Sequence, residues 1–427
     1  MGTALVVWSQ GRRLGDITLA QGRWQFVYAA EWVGWSGAFV LSPHLPFDKA
    51  SFTDSADDKR IEWFFENLLP EGGLREALAR SIGVSSRDTL GLLRRYGEES
   101  AGALALLPAG MPFPTDSHYV PLTKDDLRKR LTAAAGIPLL ASSDNLHMSL
   151  AGVQNKLGVC IKDDAFFLPQ GAAASTHILK PDNQQADFPF CPANEFFCMR
   201  LAAELGLPVP DVSLRHIPEA VYLISRFDRV VTGQDVQRKH QIDLCQLLNK
   251  WVGYKYESHG GVTSRDLFNS LDQLIRPAVA RDRVLRWMIF NYLIGNTDAH
   301  GKNLAFMVGP DGVDLAPFYD LLCVQAWLLD STLAMSIHGE NRPGWIEAGH
   351  WNALAAEAGV PASLMRSYLQ RLSERVEAAA GKLLGDDSFV EAEREFIAQN
   401  IIPVIHERVG YVQTALAETG LRVAAKI

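Results

Sequence analysis

The hydrophobic pattern changes period along the chain. Leu5-Val6-Val7-Trp8, Gly15-Asp16-Ile17-Thr18-Leu19 and Trp24-Gln25-Phe26-Val27-Tyr28 are short β-branched and aromatic runs separated by glycine turns, and they predict three strands. Apolar spacings of three and four then predict helices over 57–69, 73–82 and 87–96. Residues 101–107 read as one more strand, and the proline-rich stretch 108–117 as a linker. Beyond it, Leu157, Val159 and Ile161 alternate with Gly158, Cys160 and Lys162. Asp163-Asp164 then turns the chain into Ala165-Phe166-Phe167-Leu168, which predicts a hairpin. Thr176-His177-Ile178-Leu179-Lys180 is another strand, stopped by Pro181. A helix over 193–205, with Asn194 as its candidate cap, ends at Gly206 before Pro208. Residues 221–227 make a further strand. From about 240 onward the pattern is mostly helical: an amphipathic start at 243–248, a helix over 282–294 that is apolar all round and so expected to be buried, and long broken helices over 355–384 and 390–418.

A chain of 427 residues has room for two or three structural units with a large core. The pattern divides it into 1–110, 120–228 and 229–427. Composition adds exclusions. With 41 basic and 49 acidic residues the net charge is −8, which argues against broad, unassisted binding to DNA or RNA. The cysteines Cys160, Cys191, Cys198, Cys245 and Cys323 are scattered, odd in number and never in a CxxC pair. They read as reduced thiols of a cytoplasmic protein rather than a zinc site. The apolar stretch before Arg12 and Arg13 is too short for a secretory signal, and no apolar run is long enough to span a membrane.

The polar run Gly295-Asn296-Thr297-Asp298-Ala299-His300-Gly301-Lys302-Asn303 directly follows the buried helix. An Asp and an Asn five positions apart have the spacing of a kinase catalytic loop, where the carboxylate accepts the proton of the attacking hydroxyl and the amide holds magnesium. A capped turn after a helix has the same composition. The second element, Leu315-Ala316-Pro317-Phe318-Tyr319-Asp320, puts an apolar strand before a carboxylate 17 residues past Asn303, where a kinase needs its second metal ligand. Asp-Phe-Gly is absent, since Leu321 and Leu322 follow. The third, Ser149-Leu150-Ala151-Gly152-Val153-Gln154-Asn155-Lys156, suits a loop whose N–H groups cradle phosphates, and equally a polar surface loop. Lys180 ends the next strand, where an α/β-phosphate contact belongs. Glu195 on the following helix is its natural orienting partner, and a surface ion pair is the plainer alternative. Ser225-Arg226-Phe227-Asp228 ends a strand fit to lie under an adenine, or Phe227 is simply core. Lys255-Tyr256-Glu257 reads as a mobile, substrate-facing segment or a solvated loop. Trp287 and Trp345 read as core or interface. The order of these parts is that of a bilobal kinase, and it predicts an α+β fold with a mainly helical C-terminal lobe.

These residues resemble the HipA family, the kinase toxins of bacterial type II toxin–antitoxin pairs. The resemblance also takes in Phe64-Phe65-Glu66-Asn67-Leu68-Leu69-Pro70, Gly97-Glu98-Glu99-Ser100-Ala101-Gly102-Ala103 and Asn194-Glu195. It implies an N-terminal α/β subdomain over 1–110, a nucleotide-binding region over 120–228 and a helical lobe carrying the catalytic loop over 229–427. It implies that ATP phosphates meet Ala151, Gly152, Val153, Gln154, Asn155, Lys156 and Lys180, and that adenine borders Ser225, Arg226 and Phe227. Asp298 would be the base, and Asn303 and Asp320 the Mg2+ ligands. His300, Gly301, Lys302 and Tyr319 would complete the nucleotide site, and Ser149 would be the autophosphorylation site. The family phosphorylates aminoacyl-tRNA synthetases, notably glutamyl-tRNA synthetase, which halts translation and drives growth arrest and persistence. Its partner is a helix-turn-helix antitoxin of the HipB type, through which it reaches operator DNA and corepresses its operon. Ser225 is a departure, since better-known members carry Glu there. The alternatives are a small-molecule kinase and an inactive corepressor module.

Overall fold

A computed structural model describes residues 4–133, 156–182, 188–217, 219–233, 235–327 and 332–424. Ser149 and the phosphate-loop candidates Ala151, Gly152, Val153, Gln154 and Asn155 lie outside these residues. The chain forms two compact units. One comprises Met1–Pro181, His216–Val252 and Ala305–Ala316, the other Asp182–Arg215, Gly253–Leu304 and Pro317–Ile427. Among the described residues no helix is long and apolar enough to cross a membrane.

The first unit begins with β1 (Ala4–Ser9), β2 (Arg12–Ala20) and β3 (Arg23–Tyr28), followed by α1 (Ala30–Val33), β4 (Ser51–Thr53), α2 (Arg60–Glu66), α3 (Gly72–Ser81), α4 (Thr89–Tyr96) and β5 (Leu104–Pro108). The strands form an antiparallel sheet in the order β4-β3-β2-β1-β5. Its hairpins turn on Gln10-Gly11 and Gln21-Gly22, all four with positive φ, as a two-residue turn matched to the strand twist requires. Leu5, Val7, Ile17 and Phe26 are wholly buried and α2 packs on β3, which explains the apolar runs there.

A second sheet holds β6 (Ser117–Leu122), β7 (Leu157–Lys162), β8 (Ala165–Gly171), β9 (His177–Pro181) and β11 (Ala220–Ser225), side by side in the order β11-β9-β7-β8-β6; α5 (Lys124–Ala133) follows β6. The expected hairpin forms on Asp163-Asp164, again both at positive φ. Part of the expected linker is strand: Ser117 opens β6, whose ladder to β8 is set by backbone pairing rather than by an apolar pattern. The chain passes between the units at β10 (Val212–His216). The pair β12 (Arg229–Thr232) and β13 (Asp235–Arg238) comes next, then β14 (His240–Asp243), which opens α7 (Leu244–Leu247). β14 also forms a small sheet with β15 (Ala305–Gly309) and β16 (Gly312–Leu315). So the region beyond 240 is less purely helical than its pattern predicts. α7 is buried throughout rather than amphipathic, and Asp243 caps it by accepting Gln246 N–H at 2.8 Å.

The strand expected over 221–227 stops at Ser225, because Arg226 leaves the ladder for a buried charge cluster. Its guanidinium forks onto Asp228, Nε to Oδ1 at 3.0 Å and Nη2 to Oδ2 at 2.7 Å, and Nη1 reaches Ser175 Oγ at 3.0 Å. Arg229 approaches Asp228 Oδ2 at 2.9 Å and Glu99 Oε1 at 3.4 Å. Asp228 also accepts Gly102 N–H at 2.7 Å. Both guanidinium side chains are 1% exposed. The cluster therefore ties the Gly97–Ala103 run to the end of β11 and gives that run a physical role. Burial alone raises a carboxyl pKa. The guanidiniums of Arg226 and Arg229 outweigh it at Asp228, and those of Arg238, Arg226 and Arg229 outweigh it at Glu99, so both stay below the usual carboxylate range.

The second unit is built on helices: α6 (Cys191–Glu204), α8 (Ser264–Ser270), α9 (Pro277–Leu293), α10 (Ala348–Glu357), α11 (Ala362–Leu383), α12 (Glu391–Phe396) and α13 (Ile402–Ala424), the last two joined by a π turn. From Val284 onward α9 is buried on nearly every side, as its composition predicts, whereas its first turns are partly exposed; it packs against α11 and α13. It starts earlier than expected because Pro277 sits in the first turn, where its missing N–H costs nothing. Asn194 is not the cap of α6. That helix starts at Cys191 after Phe190, and Asn194 lies a turn inside it.

Asp228→Asn should destabilise the fold by about 3–5 kcal/mol, because it leaves buried guanidiniums short of a countercharge; urea denaturation at neutral pH reads this. Since both carboxyls have folded pKa values below their unfolded ones, their contribution is whole above about pH 5 and is lost as pH falls through the acid range. Asp228→Asn should therefore also flatten the fall of stability below about pH 5.

Candidate active site

α9 ends on a glycine. Gly295 has φ +68, and a Cβ on it would meet Val404 Cγ1 at 2.5 Å. The Asn296 N–H returns to Asn291 O at 2.9 Å, closing the helix end. Asn296 then donates from its amide to Asn291 Oδ1 at 2.7 Å and accepts Asp298 N–H at 3.2 Å, so the start of the polar loop is fixed to the buried helix. Asp298 is half-buried, and its Oδ1 accepts the Tyr256 hydroxyl at 2.8 Å. His300 caps the short 3-10 turn Gly301–Asn303. Its Nδ1 faces Lys302 N–H at 3.2 Å, and its own N–H donates to Asn303 Oδ1 at 3.1 Å. Asn296, Thr297, His300, Lys302 and Asn303 are all buried.

From Leu304 the chain makes the β15–β16 hairpin and returns as Pro317-Phe318-Tyr319-Asp320. β16 ends at Leu315, so Asp320 is not at a strand end as the sequence suggests. It stands in irregular backbone at φ +59, a left-handed conformation that Asp tolerates better than most residues. Five contacts hold that backbone. Phe318 N–H donates to Pro208 O at 2.8 Å, and its ring stacks on Trp287 at 6.0 Å. The Tyr319 hydroxyl donates to Lys302 O at 2.7 Å. Asn194, on α6, clamps the far side, accepting Cys323 N–H at 2.8 Å and donating to Cys323 O at 2.9 Å. The result is a direct meeting of the two stretches: Asn303 Nδ2 lies 2.6 Å from Asp320 Oδ2.

The structure thus brings Asp298, His300, Gly301, Lys302, Asn303, Tyr319 and Asp320 into one frame within the second unit. An amide and a carboxylate side by side are hard oxygen donors of the type Mg2+ takes alongside substrate phosphates. Asn303 Oδ1 already accepts one N–H, but a carbonyl oxygen has a second lone pair. The residues fit that ion. Among the described residues no group of three or more His, Cys, Asp or Glu gathers as a protein-only metal cage.

In the first unit, Lys180 is half-buried on β9 opposite Tyr222, with Nζ 5.8 Å from that ring. Ser225 Oγ lies 3.2 Å from His177 Nε2 across the same ladder. The Arg226 side chain is committed to the charge cluster, whereas Phe227 is half-buried beyond the strand. Lys156 immediately precedes β7. Glu195 is 1% exposed on α6. Trp287 is core, whereas Trp345 is 62% exposed under the Arg342 guanidinium.

Three contributors escaped the sequence. Asn194 looked like a cap, and its real partner is 129 residues away. Tyr256 and Glu257 read as a mobile, substrate-facing segment or a solvated loop, with no partner named. Instead Tyr256 meets Asp298, and Glu257 accepts Ser336 N–H at 2.6 Å and the Ser336 hydroxyl at 2.8 Å.

Residues 148–380 match the HipA-like C-terminal domain and residues 5–107 the HipA N-terminal domain. The chain is 34% identical over 388 residues to the serine/threonine-protein kinase toxin HipA of Shewanella oneidensis, covering 87% of each. The chain belongs to the HipA family of serine/threonine-protein kinase toxins. Another relative of this HipA homologue is the putative kinase Y4mE of Sinorhizobium fredii, 36% identical over 403 residues, which are 91% of this chain and 94% of that one. In space it matches HipA in the Shewanella oneidensis MR-1 complex of HipA, HipB and operator DNA, with a TM-score of 0.83 and 29% identity, over 97% of this chain and 99% of that chain. The expected α+β, protein-kinase-like HipA fold is therefore the observed one, and the enzyme is a serine/threonine protein kinase, whose phosphoryl donor is ATP.

Asn194→Ala should cost about 1–3 kcal/mol, since it leaves the buried Cys323 N–H without its partner and the Cys323 C=O with only the Ala326 N–H at 3.3 Å. Kinase activity should fall further than the melting temperature alone explains, because the Asp320 segment loses its clamp. Thermal melts paired with phosphate-transfer rates check this.

Proposed function

We propose that the chain transfers the γ-phosphate of Mg-ATP to a serine or threonine of a target protein, with Asp298 as base and Asn303 and Asp320 as the metal ligands. The observation that supports this best is the 2.6 Å contact between Asn303 and Asp320, with Asp298 on the same short loop. The acceptor O–H bond breaks and its proton goes to Asp298. The freed oxygen bonds to the γ-phosphorus while the bond to the β,γ-bridging oxygen breaks, and ADP leaves with that electron pair. Mg2+ supplies charge neutralisation on the phosphates when bound. Lys180 bears on the phosphates with Glu195 orienting it, and Lys156 joins Ala151, Gly152, Val153, Gln154 and Asn155 around them. His300, Gly301, Lys302 and Tyr319 complete the nucleotide contacts. Ser225 and Phe227 border the adenine. Arg226 contributes through its backbone, since its side chain is fully engaged elsewhere.

The target on this reading is an aminoacyl-tRNA synthetase, glutamyl-tRNA synthetase first among them, and phosphorylating it arrests growth in the cytoplasm. The Shewanella complex of HipA with HipB and operator DNA supports pairing of this acidic chain with a helix-turn-helix antitoxin of the HipB type that carries it to DNA. Ser149 is the proposed site of self-phosphorylation and silencing.

Asp298→Ala and Asp320→Ala should each abolish transfer of labelled phosphate from ATP and relieve growth arrest on induced expression. Phosphoproteomics of induced cells, wild type against Asp298→Ala, should reveal a synthetase among the modified proteins. Activity surviving in both variants would remove the assignment, and transfer to aminoglycosides but no protein would point to a small-molecule kinase. Protein incubated with Mg-ATP should slowly gain a phosphate on Ser149 by mass spectrometry.

A further inference from the structure

Tyr256, Glu257, Ala334 and Ser336 meet the loop that carries Asp298, and their hydrogen bonds form a circuit. The Tyr256 hydroxyl donates to Asp298 Oδ1 at 2.8 Å. Its ring meets His300 edge-on, with centroids 5.0 Å apart, so the ring is steadied by the same loop that it touches. The Tyr256 carbonyl accepts both His259 N–H and Gly261 N–H at 3.1 Å, which folds the segment into a tight turn. The next residue extends the circuit. Glu257 N–H donates to Ala334 O at 3.3 Å, and Ala334 N–H donates to Thr297 O at 2.9 Å, next to Asp298. The Glu257 carboxylate takes both the N–H and the hydroxyl of Ser336. Backbone and side-chain bonds thus run from Asp298 through Tyr256, Glu257 and Ala334 back to Thr297.

We propose that Tyr256 is a positioning residue for the catalytic base, held by the Glu257–Ser336 clamp. This rests on the reading of Asp298 as that base. A carboxylate on a short side chain rotates about its last bond, and its two oxygens are then equivalent. A phenol donor on Oδ1 removes that freedom and directs the other oxygen to the acceptor hydroxyl, the geometry that proton transfer requires. A purely structural role for Tyr256 predicts no selective fall in kcat.

The test is the initial rate of ADP release from Mg-ATP by the full-length protein, measured across ATP concentration, with melting temperature as a control. Tyr256→Phe keeps the ring and its contact with His300. It should lower kcat about tenfold and leave the KM for ATP within about twofold. Glu257→Gln, which weakens the clamp but keeps the phenol, should show a smaller fall in kcat and carries the test if the first variant does not fold. A Tyr256→Phe kcat equal to wild type overturns the proposal, and a faster rate overturns it in favour of a ring that blocks the acceptor's place. Asp298→Asn is run beside them. If it is inactive while Tyr256→Phe matches wild type, only the positioning role fails; if it is fully active, the assignment of the base fails instead.

Discussion

The contact between Asn303 and Asp320 is only as accurate as the two backbones that deliver it. Asn303 ends a single 3-10 turn and Asp320 stands in irregular chain, and phosphoryl transfer tolerates little error in where charges stand. The accuracy comes from amides that bond to main chain. Asn296 and Asn291 fix one stretch to the end of α9, and Asn194 fixes the other to α6. Both helices are buried on nearly every side, so the loops inherit the rigidity of a close-packed core. An apolar side chain at any of these three positions would pack as well and position nothing.

The first unit uses charge for a comparable purpose. Glu99, Asp228, Arg226 and Arg229 give up water, and the fork geometry of the guanidiniums recovers much of that cost only in one arrangement. Hydrophobic packing would hold the end of β11 to the Gly97–Ala103 run with more latitude. The cluster instead sets where Ser225 and Phe227 stand, at the cost of a fold sensitive to acid and to the loss of any one member.

Periodicity was a good guide where burial is one-sided or complete. The three N-terminal strands, the hairpin on Asp163-Asp164 and α9 all have the elements that their patterns predict. It failed where backbone pairing alone makes the strand, as at Ser117 in β6 and in the short strands β12 to β16. The polar loop was legible because its spacing is local: Asp298 and Asn303 sit on one turn. The Tyr256 hydroxyl and the Asn194 amide were not, since each acquires its meaning from a partner on a distant stretch. Asp320 was expected at the tip of a strand and stands instead as a left-handed residue in irregular chain, beside Asn303.

The path of the chain between its two units has a further consequence. It crosses from one to the other five times, and the hairpin of β15 and β16 is a brief visit inserted between the two stretches that meet at Asp320. No single cut in the gene separates the units cleanly. A recombination event that exchanged one whole unit would have to splice several segments at once.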